Sequence, residues 1–217
     1  MTSKSEELRC AQELDEPARH LHLTALCVAW AKEYRRTQSS STAYLIASAL
    51  YDTSPEGRAR ATRVKGWLHR ALYRNGDAPT VRAFATMLLA CVCIDEADWH
   101  RSRELLASLP ADGFRRLDSA WAWRDLRVSD LLMVCAVRLG QVEADAVHRL
   151  VSRLEEADRD DVPAPHELLA ALEAFPARVA DVSALLRFHA GFGWPSDLGT
   201  AIDAWVSRIP TNSHNLA

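Results

Sequence analysis

The chain has 217 residues, of which 48% are hydrophobic and 25% charged, a composition that is typical of a folded globular protein and excludes a disordered chain. The formal net charge is −3 at pH 7, so the overall charge favours neither nucleic acid nor an acidic membrane as a partner. Only 8 glycines and 9 prolines interrupt a chain rich in alanine and leucine, which predicts an all-α protein. Arginine far outnumbers lysine, a bias typical of GC-rich bacterial genomes.

The first quarter of the chain predicts a charged lead-in followed by two helices. Residues 1–16 are polar and predict a flexible lead-in. The helix from about Pro17 has apolar residues at the i, i+4, i+7, i+8 spacing of one face, which we expect to be buried. These residues are Leu21, Ala25, Val28 and Ala29. The serine-rich stretch at 39–42 ends this helix and caps the next, which continues to Leu50.

Residues 58–74 predict a strongly basic helix, which Ser54 and Pro55 open. Its basic residues are Arg58, Arg60, Arg63, Lys65, Arg70 and Arg74. Trp67 lies among them, so the helix is a candidate footprint for nucleic acid or an acidic partner. The alternative is a solvated face, which could pair with the acidic segment over 155–161, and the net charge of −3 favours this alternative.

Two predicted helical hairpins in the middle of the chain are similar to each other. The first joins an apolar helix over 84–94 to an amphipathic helix over 98–109, and the second joins a helix that ends at Gly140 to one over 142–157. The second echoes the first about 45 residues later, as helical-hairpin repeats do. We therefore expect stacked antiparallel helical hairpins, forming a short α-solenoid or an incomplete α/α toroid of about nine or ten helices.

The last quarter of the chain predicts a linker, two or three more helices and a tail. Residues 158–165, rich in aspartate and proline, are the most pronounced linker of the sequence. Residues 211–217 predict a polar tail. Because the length fits one compact domain, we expect a single helical domain over 17–210.

The acidic turn at 95–100 is the first candidate site. On a helix, Glu96 and His100 share a face, as two metal ligands must, and His100 is also a candidate acid–base group. The alternative is a capping box in which Asp95 is the N-cap and Asp98 occupies the N3 position of the next helix. The second hairpin repeats the pattern at its own turn, which favours a repeated cap over an active site.

The segment 121–127 is the second candidate site, because two indoles flank an arginine–aspartate pair ahead of an apolar helix. Indole faces beside a guanidinium bind planar or anionic ligands, and a desolvated aspartate can act as a general acid or base. The candidate ligand-binding residues are Trp121, Trp123 and Arg127, and the candidate catalytic residues are Asp125, Arg124 and His100. The alternative is that the indoles fill gaps between helices while Arg124 and Asp125 pair with their neighbours.

The remaining sequence features concern the cellular compartment of the protein and its need for cofactors. Five cysteines in apolar surroundings predict reduced thiols in a cytoplasmic protein. The polar start of the chain predicts no signal peptide, and no apolar run reaches the ~20 residues of a membrane span. Motifs for nucleotide, zinc or serine-hydrolase chemistry do not occur, so we expect no cofactor and no metal.

Two hypotheses on function follow from a concave stack of hairpins. The first is an interaction or regulatory protein whose groove binds a peptide, a protein helix or a small ligand, with no membrane partner and with nucleic acid disfavoured. The alternative is a cofactor-independent biosynthetic enzyme that modifies a small molecule or peptide by carboxylate or histidine acid–base chemistry in an aromatic-lined pocket. A closed cavity around Asp125 would favour the enzyme.

Overall fold

The computed structural model describes residues 3–53, 58–73 and 79–210. These ranges contain twelve α-helices, three short 3-10 helices and no strand, so the predicted all-α class is confirmed. The helices outnumber the nine or ten expected, because short stretches such as 113–117 are helical as well. Many consecutive helices contact each other as in helical hairpins, while their stacking into a solenoid or toroid stays a prediction.

Contacts within the chain divide it into two compact units, Met1–Pro110 and Ala111–Ala217. The helices of the first unit are α1 (Lys4–Gln12), α2 (Ala18–Thr37), α3 (Ser40–Thr53), α4 (Arg58–Leu72), α5 (Pro79–Asp95) and α6 (Trp99–Ala107). Those of the second unit are α7 (Gly113–Leu117), α8 (Ala122–Leu139), α9 (Ala144–Glu155), α10 (His166–Ala174), α11 (Ser183–Gly191) and α12 (Ser196–Val206). The 3-10 helices are Ser119–Trp121, Arg159–Asp161 and Pro176–Arg178.

Some sequence predictions fall outside the described residues. They concern the helix start at Ser54, the end of the basic helix at Arg74 and the tail over 211–217. The single domain over 17–210 stays a prediction. The predicted linker over 158–165, however, is part of the second unit, since it contains a 3-10 helix and the buried Val162, and the division between units follows Pro110.

Residues 4–12 form α1, where the sequence predicted a flexible lead-in. The Ser3 side chain caps the helix by accepting a hydrogen bond from the Glu6 amide. Leu8 is buried against α2 and α3, and Lys4 forms an ion pair with Glu33 of α2. The buried Leu8 and Ala11 and the ion-paired Lys4 therefore anchor a segment that its polarity predicted to be flexible.

The face of α2 that the sequence spacing predicted to be buried is exposed. Leu21 is 74% exposed and Val28 is 54% exposed, and Ala25 between them is exposed as well. The helix packs on its neighbours through the opposite side, where Leu23 and Trp30 are buried. The prediction was wrong because α2 is apolar on both sides, and the side with the indole has more apolar area to bury.

The core of the first unit is built around α3, which is buried on two sides. Ala43 and Ala47 pack against α4 and α5, while Leu45 and Ile46 pack against α1 and α2. Small side chains on one side allow a close approach of the helices, which explains the alanine content of this segment. On α4 one apolar side is buried, through Val64, Leu68 and Ala71.

The core of the second unit is built around α8, which contacts α7, α9 and α10. Its buried residues continue almost to its end, where Val137 is fully buried. The amphipathic α9 buries Val147, Leu150 and Leu154 on one face and also contacts α11. This unit contains the segment 121–127 that the sequence analysis singled out.

The two predicted hairpins end their first helices in the same way. Ala97 after α5 and Gly140 after α8 both adopt the left-handed conformation, with φ of 59° and 67°. The next amides, those of Asp98 and Gln141, each donate to a carbonyl five residues earlier at 2.8 Å. This is a Schellman termination, and it recurs at the spacing of the sequence echo.

Candidate functional site

Asp125 is buried in the first turn of α8 and accepts two backbone hydrogen bonds. Its oxygens receive the amides of Phe114 at 3.1 Å and Arg115 at 2.9 Å. These amides belong to the first turn of α7, and the side chain of Asp112, the N-cap of α7, makes no capping hydrogen bond. Asp125 therefore caps α7 from a neighbouring helix, a geometry that favours a structural role over acid–base chemistry.

The aromatic and basic residues that neighbour Asp125 in the sequence make separate contacts. The Arg124 guanidinium lies over the Trp123 ring at 4.3 Å from its centroid, and this indole is 37% exposed. Trp121 is half-buried at the start of α8. Arg127 forms an ion pair with Asp130. The sequence thus predicted that these residues lie near one another but not that they make separate contacts.

Arg127 joins two carboxylates from α8 and α10. It donates to Asp130 at 2.7 Å and to Glu167 at 3.2 Å, with a second contact from its other terminal nitrogen to Glu167. Asp130 is only 2% exposed, while Glu167 is partly open to solvent. Of these three residues, only Arg127 was predicted from the sequence as a site residue.

The two carboxylates of this cluster have opposite pKa shifts. Burial raises the pKa of Asp130 to about 7, although the Arg127 charge and hydrogen bond oppose the rise. Burial also acts on Glu167, but the hydrogen bond and charge of Arg127 outweigh it and leave the pKa of Glu167 below its ordinary value. One carboxyl is therefore poised near neutral pH beside one that stays ionised.

His189 on α11 is buried among aromatic rings. It is 1% exposed, and its ring centroid lies 5.2 Å from that of Phe188 and 6.0 Å from that of Trp194. Within the described ranges, neither of its nitrogens has a hydrogen-bond partner, and the same holds for the indole nitrogen of Trp194. Burial lowers the pKa of His189 to about 4, so the imidazole is neutral.

The acidic turn between α5 and α6 is a helix cap. Asp98, rather than the predicted Asp95, is the N-cap of α6, and its side chain accepts the amide of Arg101 at 3.2 Å. Glu96 forms an ion pair with Lys65 of α4. His100 is exposed on α6 in the first unit. The favoured interpretation as a cap agrees with this geometry, with the cap three residues later than predicted.

The basic face of α4 makes contacts inside the first unit. Arg70 lies over the Trp67 ring at 4.7 Å, and Trp67 in turn meets Tyr34 of α2 edge-on at 5.0 Å. Lys65 is paired with Glu96. These contacts favour the alternative of a face paired within the chain, although the acid that pairs with Lys65 is Glu96 rather than one of the segment 155–161.

The exposed face of α2 borders a groove in the first unit. The groove has a volume of about 410 Å³ and is lined by side chains of α2, α3 and α4. Its lining residues are His20, Thr24, Cys27, Val28, Leu50, Thr53 and Arg63. Val28 belongs both to the groove and to the apolar stripe, which we define as Leu21, Ala25, Val28 and Ala29.

The sequence matches no protein-family model, and neither curated proteins nor solved structures give a match. Function must therefore be argued from the residues of the chain.

The described part of the chain gives no evidence of a metal site, a membrane-spanning helix or thiol chemistry. No group of three or more His, Cys, Asp or Glu side chains there is arranged to hold a metal ion, and no helix there is long and apolar enough to cross a membrane. None of the five cysteines forms a disulfide; Cys93 and Cys135 are buried, and Cys10 is exposed. Burial raises the pKa of Cys27 in the groove to about 11, which keeps that thiol protonated and unreactive.

Proposed function

We propose that this chain is an interaction protein that docks a helix of a protein partner on the exposed face of α2. The single observation that carries the proposal is the apolar stripe. Leu21 and Val28 lie two helical turns apart, and alanine separates them, so their exposed surfaces are contiguous. Contiguous apolar surface on a folded protein marks a site of interaction more often than scattered apolar residues do.

The groove beside the stripe supports the same proposal. Recognition of an amphipathic helix uses an apolar groove that receives side chains spaced by three, four and seven residues. Leu50 and Val28 supply apolar lining, while His20, Thr24 and Thr53 place polar groups at the same surface. Such a mixture orients a partner while the apolar contacts supply binding free energy.

A photo-crosslinking residue at position 28 tests this proposal in the cells that produce the chain. We expect a discrete adduct with a protein when the crosslinker replaces Val28. The matched control replaces Arg149, which is exposed on α9 in the second unit, and gives no such adduct. Equal background labelling from both positions overturns the proposal.

A second candidate function is acid–base catalysis, and one specific observation favours it. Asp130 and Glu167 share Arg127, yet burial and pairing move their pKa values in opposite directions. A carboxyl poised near pH 7 beside an ionised one is the arrangement of many acid–base pairs. This candidate moves the catalytic role predicted for Asp125 to another acid of the same helix.

Replacement of Asp130 by asparagine distinguishes a catalytic role of this residue from a structural role. If the buried charge is retained for chemistry, Asp130→Asn should raise the free energy of unfolding at pH 8, because active sites retain charges at a cost in stability. If the ion pair is structural, the substitution should lower the free energy of unfolding, because Arg127 loses one of its two charged partners. A loss of stability therefore contradicts the catalytic candidate.

A further inference from the structure

We infer that residues 192–195, which join α11 to α12, form a strap that Arg159 holds over His189, and that this strap opens without unfolding of the rest of the second unit. Opening gives solvent access to an imidazole that is otherwise buried. The strap belongs to the second unit and makes no use of the α2 face.

The backbone of the strap approaches Arg159 closely. Gly193 has a φ of 80°, in the left-handed region that glycine adopts without strain. A Cβ atom at this position would lie 3.2 Å from Nη2 of Arg159, nearer than side chains ordinarily approach. At Gly191, by contrast, a Cβ atom would meet nothing within 4 Å. The contact with Arg159 therefore favours glycine at 193 but not at 191.

Arg159 supplies the side-chain hydrogen bonds of the strap. Its Nη2 atom donates to the Phe192 carbonyl at 3.0 Å and to the Gly193 carbonyl at 3.4 Å. The guanidinium also lies 5.1 Å from the centroid of the Phe192 ring. Asp158 and Asp160 flank Arg159 in the sequence, yet within the described ranges Arg159 has no ion-pair partner. The arginine therefore contacts the strap instead of the neighbouring acids.

Trp194 is the residue of the strap that covers His189. Its ring centroid lies 4.4 Å from that of Phe192 and 6.0 Å from that of His189. The two imidazole nitrogens and the indole nitrogen have no hydrogen-bond partner within the described ranges, and each such buried polar atom raises the free energy of the closed state. Water satisfies all three nitrogens when the strap opens, so their desolvation favours opening.

Few backbone hydrogen bonds oppose the opening. Within the described residues, the Phe192 amide donates to the His189 carbonyl at 3.2 Å, whereas the amides of Gly193 and Trp194 donate to no backbone carbonyl. Pro195 has no amide hydrogen to donate. A segment with few backbone hydrogen bonds opens at a lower free energy than the whole domain unfolds. The contacts with Arg159 and the aromatic packing therefore keep the strap closed.

Carbethoxylation of histidine by diethyl pyrocarbonate at pH 7 measures how often the strap opens. The reagent modifies neutral imidazole, and mass spectrometry of peptides from the full-length chain gives the rate at each histidine. The exposed His148 of α9 is the internal reference. We expect His189 of the wild type to react at least about 100-fold more slowly than His148, because the buried ring reacts only from the open state. Equal rates at the two histidines overturn the closed strap.

Arg159→Ala tests the role of the arginine. Loss of its two hydrogen bonds should raise the His189 rate, relative to that of His148, at least about tenfold. The matched control is Arg187→Ala, which removes an exposed arginine of α11 that has no ion pair within the described ranges and should react like the wild type. A His189 rate that Arg159→Ala leaves unchanged overturns the inference.

A thiol reagent distinguishes opening of the strap from unfolding of the second unit. Cys135 is fully buried in α8 of the same unit, so its reaction with the reagent reports unfolding. Arg159→Ala should accelerate the reaction of His189 and leave that of Cys135 unchanged. Parallel acceleration of both residues shows that the whole unit unfolds and contradicts local opening.

A pair of alanine variants tests the close approach of the strap to Arg159 without removing the arginine. Gly193→Ala strains the backbone and crowds the guanidinium, so it should accelerate the reaction of His189. Gly191→Ala adds a Cβ atom in open space and should leave the rate unchanged. Equal His189 rates in the two variants overturn the assignment of this contact as the one that holds the strap.

Discussion

The carboxylate of Asp125 accepts the backbone amide of Phe114 at 3.1 Å and so ties the start of α7 to the start of α8. The neighbouring amide of Arg115 donates to the other oxygen. An aspartate that satisfies two amides at a helix start is a cap, whichever helix supplies it.

We predict that Asp125→Asn lowers stability. Asparagine offers one acceptor oxygen and turns an amide group toward a backbone N–H, so one charge-assisted bond is lost at a cost of about 2 kcal/mol. Urea unfolding followed by tryptophan fluorescence measures the change. The exposed Asp158→Asn serves as control and should leave the midpoint unchanged. An Asp125→Asn protein as stable as wild type would contradict the capping role.

We predict that Asp98→Ala costs about 1 kcal/mol of the free energy of unfolding, because α6 loses its N-cap. Asp98→Ser keeps a capping oxygen and should recover most of that loss. Thermal melts of the two variants provide the comparison. If alanine and serine are equally destabilising, the side chain at this position acts through something other than the Arg101 amide.

We predict that His189 makes the protein less stable as the pH falls. Its folded pKa of about 4 lies below the ordinary value of 6.5, so the unfolded chain takes up the proton first and acidification stabilises the unfolded state relative to the folded state. The contribution of His189 is present above pH 6.5 and is lost toward pH 4, by about 2 kcal/mol between pH 7 and pH 5. The difference in unfolding free energy between wild type and His189→Phe should change by this amount, and a constant difference would contradict the burial.

Asp130 should have the opposite effect. Its folded pKa of about 7 lies above the ordinary value of 3.8, so the folded state holds the proton more tightly than the unfolded state does. The contribution of Asp130 to stability is present below pH 3.8 and is lost as the pH rises toward 7. Urea midpoints of the wild type and Asp130→Asn between pH 4 and pH 8 should converge at the acidic end and separate at the alkaline end. Parallel profiles would show that this carboxyl does not titrate in the range.

Local signals predicted much of the helical structure. Glycine after an apolar run marked the end of α8, and the echo of the acidic turn marked the shared termination of two hairpins. The side that α2 buries could not be predicted, because stripes at Leu21 and at Leu23 compete and only tertiary packing decides between them. The same holds for α1, where an anchoring ion pair joins residues 29 positions apart.

The candidate site was predicted only in part for the same reason. Arg127 and Asp130 are three residues apart on α8, a spacing visible in the sequence, but Glu167 lies 40 positions from Arg127 and no local pattern links them. The burial of His189 depends on Trp194 in the segment after α11, and no local sequence pattern links the two residues.

The accessibility of position 25 tests most directly whether the apolar stripe is covered in the working protein. The measurement is the maleimide labelling rate of an Ala25→Cys chain in extracts of the cells that produce it, with the exposed native Cys10 as the internal reference. The docking of a partner on α2 predicts that Cys at position 25 labels more slowly than Cys10 and that the Leu21→Glu, Val28→Glu background removes this protection. Equal labelling of the two sites in both backgrounds would contradict it.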